Sequence, residues 1–171
     1  VTKAVTVRTR PEPKPYAGGR VFHVYPGNYK GAKLEPAFDA LMCAYNYYCG
    51  GGDTVTAGRP RVKPGDTILI HAGLYRYRPD LYTGDRNINA TTPVEGTYYL
   101  TASGTADRPI AIKPAGDGDV IFDGNGNFNL FNVKAANYNY FEGVTIRNTN
   151  IGIWAGTQFI AGSKGLSVKH C

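Results

Sequence analysis

No apolar stretch in this chain approaches the ~20 residues that a membrane-spanning helix needs, so a helical span is excluded. The three cysteines form no Cys-x-x-Cys pair and the three histidines are scattered, which excludes a metal signature of the zinc-finger kind. A single methionine beside 22 glycines and 13 tyrosines argues for a turn-rich β protein and against a helical bundle. Acidic residues are scarce at the start: residues 1–33 carry Lys3, Arg8, Arg10, Lys14, Arg20, Lys30 and Lys33 against Glu12 alone. The remainder balances, with twelve residues of each sign, so the pI of 9.2 belongs to the N-terminal segment. Nucleic-acid binding needs cations clustered on a folded face and interleaved with aromatics; a charged arm does not meet that need, and no nucleic-acid partner is expected. At 171 residues and 42% hydrophobic, one sizeable domain is expected. The chain begins at Val1 without a signal peptide, as a mature or a partial chain would.

The most informative feature present is a repeated phrase. Gly143-Val144-Thr145-Ile146-Arg147-Asn148 recurs 22 positions later as Gly165-Leu166-Ser167-Val168-Lys169-His170. Each copy runs glycine, apolar, small hydroxyl, apolar, cation, polar. A fixed period in the low twenties, carried by short alternating β-branched runs, predicts a solenoid of strand-built coils. Val120 and Phe122 stand 24 positions before Val144 and Ile146, two more than that period, so one coil carries a longer turn. On this reading Val144 stacks on Leu166 and Ile146 on Val168, all pointing inward. Leu166 and Val168 then need cover from further chain or from a partner, since each forgoes ~1.5–3 kcal/mol when left wet.

Residues 1–19 read as a separable arm: a β-prone start, then Pro11, Pro13 and Pro15 enforcing extension, then Gly18-Gly19 releasing it. Such an arm is either a linker or a strand for an exposed sheet edge, including a neighbour's. Residues 20–171 read as an N-terminal cap followed by the first coils. Arg20–Pro26 is the first expected strand. Leu34-Glu35-Pro36 then opens an expected amphipathic helix, with Ala37, Leu41, Ala44, Tyr45 and Tyr48 on one face and Gly50-Gly51-Gly52 at its end. That helix is expected to cap the open end of the first coil. Further strands are expected at 66–73 after the Pro64-Gly65 turn, at 98–100, at 110–112 and at 120–122, with a polar excursion over 75–97.

The phrases Pro64-Gly65-Asp66-Thr67-Ile68, Gly104-Thr105-Ala106-Asp107-Arg108-Pro109-Ile110 and Phe141-Glu142-Gly143-Val144-Thr145-Ile146-Arg147-Asn148, in this order, resemble the opening coils of right-handed parallel β-helix proteins of the pectate-lyase-like superfamily. The resemblance covers about residues 20–171 and is nearest to alginate lyases, chondroitinase B-type polysaccharide lyases and uncharacterised secreted bacterial β-helix proteins. It implies an all-β, right-handed parallel β-helix with an N-terminal cap, in a secreted, extracellular or periplasmic protein. The repeat sets the coil at about 22–24 residues, within the range of strand-built solenoids. The resemblance also implies an acidic polysaccharide ligand, with the lyase relatives' catalytic Lys/Arg pair on coils beyond this chain. No catalytic residue is therefore assigned here. The competing reading is a non-catalytic structural subunit that joins neighbours through the arm and the C-terminal coil, as in a filament.

The residues themselves offer four candidate groups. Arg147 and Lys169, at equivalent outward positions of adjacent coils and with Lys113 nearby, suit the carboxylates of an acidic polysaccharide, or are simply a solvated face. Tyr75, Tyr77 and Tyr82, in the excursion, are candidate sugar-contacting aromatics or packing residues. Asp117, Asp119, Asp123 and Asn125, spaced by glycines, are candidate Ca²⁺ ligands or plain turn formers. Cys43 and Cys49 lie close enough for a local disulfide, which suits an oxidising compartment. His23, His71 and His170 have no mapped partner in the sequence.

Overall fold

The computed structural model describes residues 11–47, 60–76, 98–133, 135–156 and 162–171. The chain is strand-rich, and its strands form two sheets in which every described strand pair is parallel. The larger sheet contains β1 (Val21–Val24), β2 (Ala37–Phe38), β3 (Thr67–Ile70), β6 (Ile110–Pro114), β8 (Asn139–Glu142) and β10 (Ser167–Lys169), in the order β10-β8-β6-β3-β1-β2. The smaller contains β4 (Gly73–Arg76), β5 (Tyr98–Tyr99), β7 (Val120–Asn132) and β9 (Thr145–Trp154), with β7 paired to each of the others. From β6 onward the chain alternates between the two sheets, strand by strand.

Alternation within strands sorts the side chains. In the larger sheet, Phe22, Ile68, Ile112 and Phe141 are aligned by register and buried, and each such burial is worth roughly 1.5–3 kcal/mol. Val168 ends this row opposite Phe141 and is 48% exposed. In the smaller sheet, Tyr75, Phe122 and Ile146 form the matching row. Edge-to-face rings join the sheets: Phe122 meets Phe131 at 5.1 Å and Phe131 meets Phe141 at 5.2 Å between centroids.

The 24-position offset expected from Phe122 to Ile146 is the observed register, and it holds for Asp123 and Arg147 beside them. The offset narrows to 22 between Asn127 and Thr149, because β7 bulges in between. Asn125 (φ +50°) and Gly126 (φ +82°) make that bulge in left-handed backbone, so the extra length is absorbed there.

Two expectations are corrected. Ile146 does not stack on Val168: Ile146 pairs with Phe122 in the smaller sheet, whereas Val168 pairs with Phe141 in the larger one. The repeated phrases are thus equivalent in local shape and not in the sheet they join. The helix from Leu34 is likewise shorter than its apolar spacing predicts. Ala37–Phe38 is strand β2, held to β1 by the amides of His23 and Tyr25 donating to the carbonyls of Pro36 and Phe38, and α1 spans only Leu41–Tyr45. Its Leu41, Met42, Ala44 and Tyr45 are buried, and it packs against β1, β2, β3 and β5. The buried Tyr45 hydroxyl accepts from the Ala102 amide (3.0 Å) and lies within bonding distance of the Ala102 carbonyl and Asn139 Oδ1, and burial holds its pKa above the usual phenol value. Among the described residues no helix is long and apolar enough to cross a membrane.

Candidate functional site

An open groove of ≈ 610 Å³ lies on the outer face of the larger sheet. Its floor follows from the alternation that buries Phe22, Ile68, Ile112 and Phe141: the residues between them face out. Val21, Thr67, Ala111, Tyr140 and Ser167 form one aligned outward row. His23, Leu69 and Lys113 align in the next, and Glu142 and Lys169 align with each other at its far end. Lys113, Tyr140, Glu142 and Lys169 line the groove floor, and Lys14 and Tyr16 line its wall. The Tyr140 hydroxyl donates to Glu142 Oε2 at 2.8 Å, and the Lys169 ammonium sits 5.9 Å from the Tyr140 ring centre. Burial first, and then the bond to Glu142, raise the Tyr140 phenol above its usual pKa, so it remains a donor at neutral pH. Lys169 also ion-pairs with Glu12 at 2.7 Å, which raises its pKa and lowers that of Glu12.

Arg147 is not part of this groove, so the expected stripe of Arg147 with Lys169 is corrected. Register puts Arg147 opposite Asp123 in the smaller sheet, where its Nε donates to Asp123 Oδ2 at 3.0 Å. Asp123 also accepts from the Asn125 amide (2.9 Å) and Asn148 Nδ2 (3.0 Å), and the Asn125 bond leads the causes that lower its pKa. The Asp123 side chain is 2% exposed, so Arg147 completes a structural carboxylate site on this chain.

The other candidates disperse. Asp117 faces His71 and the Ala72 amide, while Asp119 contributes its carbonyl to the Gly73 amide. Asp123 and Asn125 meet at the bulge, away from the Asp117 contacts, and among the described residues no group of three or more His, Cys, Asp or Glu side chains converges on a metal position. Tyr75 points into the core: its hydroxyl reaches the carbonyls of His71 (2.8 Å) and Val24 (3.1 Å), and burial raises its pKa. Tyr77, Tyr82 and Cys49 lie outside the described residues. Cys43 is disulfide-bonded, and Cys171 is free and exposed.

One cluster escaped the sequence reading. His71 Nδ1 lies 2.6 Å from Asp117 Oδ2, and His71 Nε2 lies 3.0 Å from His23 Nδ1. The two ring centres are 5.3 Å apart, so the excess over the N···N distance is about two ring radii and the imidazoles meet end to end. With Asp117 accepting from His71, the chain of donors runs from His23 to His71 to Asp117. Tyr25 stacks on His71 at 3.9 Å and 10°, roofing the relay. Burial, and then the neighbouring His71, lower the His23 pKa. A signal existed: Phe22 and Val24 are apolar, so alternation turns His23 outward. His71 and Asp117 are distant in sequence and meet it only through tertiary structure.

No family model matches the chain, and no curated protein or solved structure matches it.

Proposed function

We propose that this chain folds as a right-handed parallel β-helix whose outer groove binds an acidic polysaccharide. The carrying observation is the juxtaposition of Lys113 and Lys169 along one open face, with the buried Tyr140 packed in its floor. Parallel strands stacked at their own spacing of about 4.8 Å set outward side chains at regular steps along the groove, which suits a repeating polymer. Lysines supply charge for carboxylates, and the exposed Tyr16 an amphipathic wall for sugar rings. The alternation of the chain between two parallel sheets supports the coiled reading, because right-handed crossovers are the rule for parallel strands. The bonded Cys43 favours an oxidising, extracytoplasmic setting. Catalysis is assigned to no described residue. The assembly reading used the arm as a strand for a neighbour; residues 14–19 lie instead against their own sheet, which favours the groove.

The test is calorimetric titration with oligogalacturonate and with neutral dextran at low salt. Oligogalacturonate is expected to bind and dextran not to. Lys169→Ala should weaken the former about fivefold, the upper range for an exposed ion pair. Equal binding of both sugars, or binding unaffected by Lys169→Ala and Lys113→Ala together, overturns the proposal.

A further inference from the structure

Resting on the groove reading, we infer that residues 11–19 are a strap that walls the groove and occupies Lys169 with an internal carboxylate, Glu12, until an acidic chain replaces that carboxylate. The strap has a fixed root and a weak tip. At the root, Gly19 packs so closely on the chain at Gly65 that a Cβ would sit 1.8 Å from the Gly65 carbonyl oxygen. Tyr16 lies against Gly65, whose left-handed backbone (φ +94°) brings it under the ring, and the Arg108 guanidinium covers that ring at 5.0 Å from its centre. Pro11, Pro13 and Pro15 keep the intervening chain extended, so it spans the wall without collapsing into it.

At the tip, the fastening is Glu12 Oε1 to Lys169 Nζ at 2.7 Å. The Glu12 side chain is 63% exposed, and an exposed ion pair adds little net stability. What such a pair does do is fill the position that a ligand carboxylate would take on Lys169. A single free carboxylate competes poorly with Glu12, because Glu12 is tethered and its effective concentration is high. A polymer that engages Lys169 and Lys113 together overcomes that tether. The strap therefore selects for a polyanion over a lone uronate.

The experiment uses the full chain and its Glu12→Gln variant, which keeps size and removes charge at an exposed position. Affinity for oligogalacturonate is read by calorimetry, and exchange of the tip's backbone amides, at positions 12 and 14, is read by hydrogen-exchange mass spectrometry. Removing the competing carboxylate is expected to tighten oligogalacturonate about fivefold. Saturating ligand is expected to speed exchange over that segment in the wild type. Equal affinities for the two chains, or strap exchange that slows or stays unchanged on binding, overturns the strap alone. Binding by neither chain overturns the groove reading, and the strap's role with it.

Discussion

Gly143 and Gly165 both turn the backbone into the left-handed region, at φ +64° and +65°, and further along each phrase Asn148 and His170 both sit at φ +52°. Between them each segment carries one outward cation. Yet Arg147 lies in the smaller sheet opposite Asp123, and Lys169 lies in the larger sheet opposite Glu142. Arg147 is consumed by a carboxylate with a 2% exposed side chain, whereas Lys169 faces a groove and holds an exposed carboxylate from the strap. One local shape thus serves two ends. What differs is the sheet that receives it, and with it the partner, the burial and the availability of the charge.

The largest effects fall on the inward rows beneath each cation. Phe141→Ala and Phe122→Ala should each cost about 3–5 kcal/mol, measured by urea denaturation, since both rings are fully buried. Phe141→Ala should also weaken oligogalacturonate, because Phe141 lies between Tyr140 and Glu142; Phe122→Ala should not. The turns come next. Gly165→Ala and Gly143→Ala each place a Cβ in left-handed backbone at about 1–2 kcal/mol. The Gly165 Cβ would also meet the Tyr138 ring at 2.4 Å, against 3.1 Å to Pro114 for Gly143, so Gly165→Ala should unfold at the lower urea concentration.

Exchanging function for stability sharpens the contrast at smaller magnitude. Arg147→Ala should lower Tm by about 2–4 °C and leave ligand affinity unchanged. Lys169→Ala should weaken the ligand and lower Tm by less than Arg147→Ala does, since its partner Glu12 is exposed. Calorimetry beside thermal scans reads both, and a shared pattern would erase the distinction between the cations.

The smallest effects are in pH. Asp123 has a lowered folded pKa, so its stabilisation holds above its unfolded value and is lost as pH falls below about 4. Glu12 behaves the same way, but its partner Lys169 has a raised pKa, so that contribution is also lost as pH rises past about 10.5. His23 has a lowered pKa, so its stabilisation fades as pH falls below about 6.5 toward its folded value. Denaturation midpoints from acid to alkaline pH check the three windows: Arg147→Ala should flatten only the acid limb, Lys169→Ala both limbs, and His23→Gln the decline that starts below the usual imidazole pKa.

Much of the strand framework was legible. The Val21–Val24, Thr67–Ile70 and Ile110–Ile112 runs announce strands through β-branched and aromatic alternation, and the 24-position offset from Phe122 to Ile146 was countable. The helix was over-read because Ala37, Leu41, Ala44 and Tyr45 do share a helical face. Hydrogen bonds to β1, a strand well upstream in the chain, claim the first of them for a strand. Of the candidate site, Lys169 and the nearby Lys113 were legible as outward cations. Tyr75 was misplaced because its hydroxyl finds two buried carbonyls, a satisfaction that composition cannot reveal.

By itself the sequence determined local backbone: left-handed glycines, alternating strands, a proline-stiffened arm and a bulge at Gly124-Asn125-Gly126. These follow from sterics and hydrogen bonding among near neighbours. Tertiary structure alone decided which sheet each segment joins, and so why Arg147 meets Asp123, why Lys169 meets Glu12, and why His23, His71 and Asp117 form one chain. Those pairings depend on the register of parallel strands, which is fixed by how the whole core packs and by no short stretch within it.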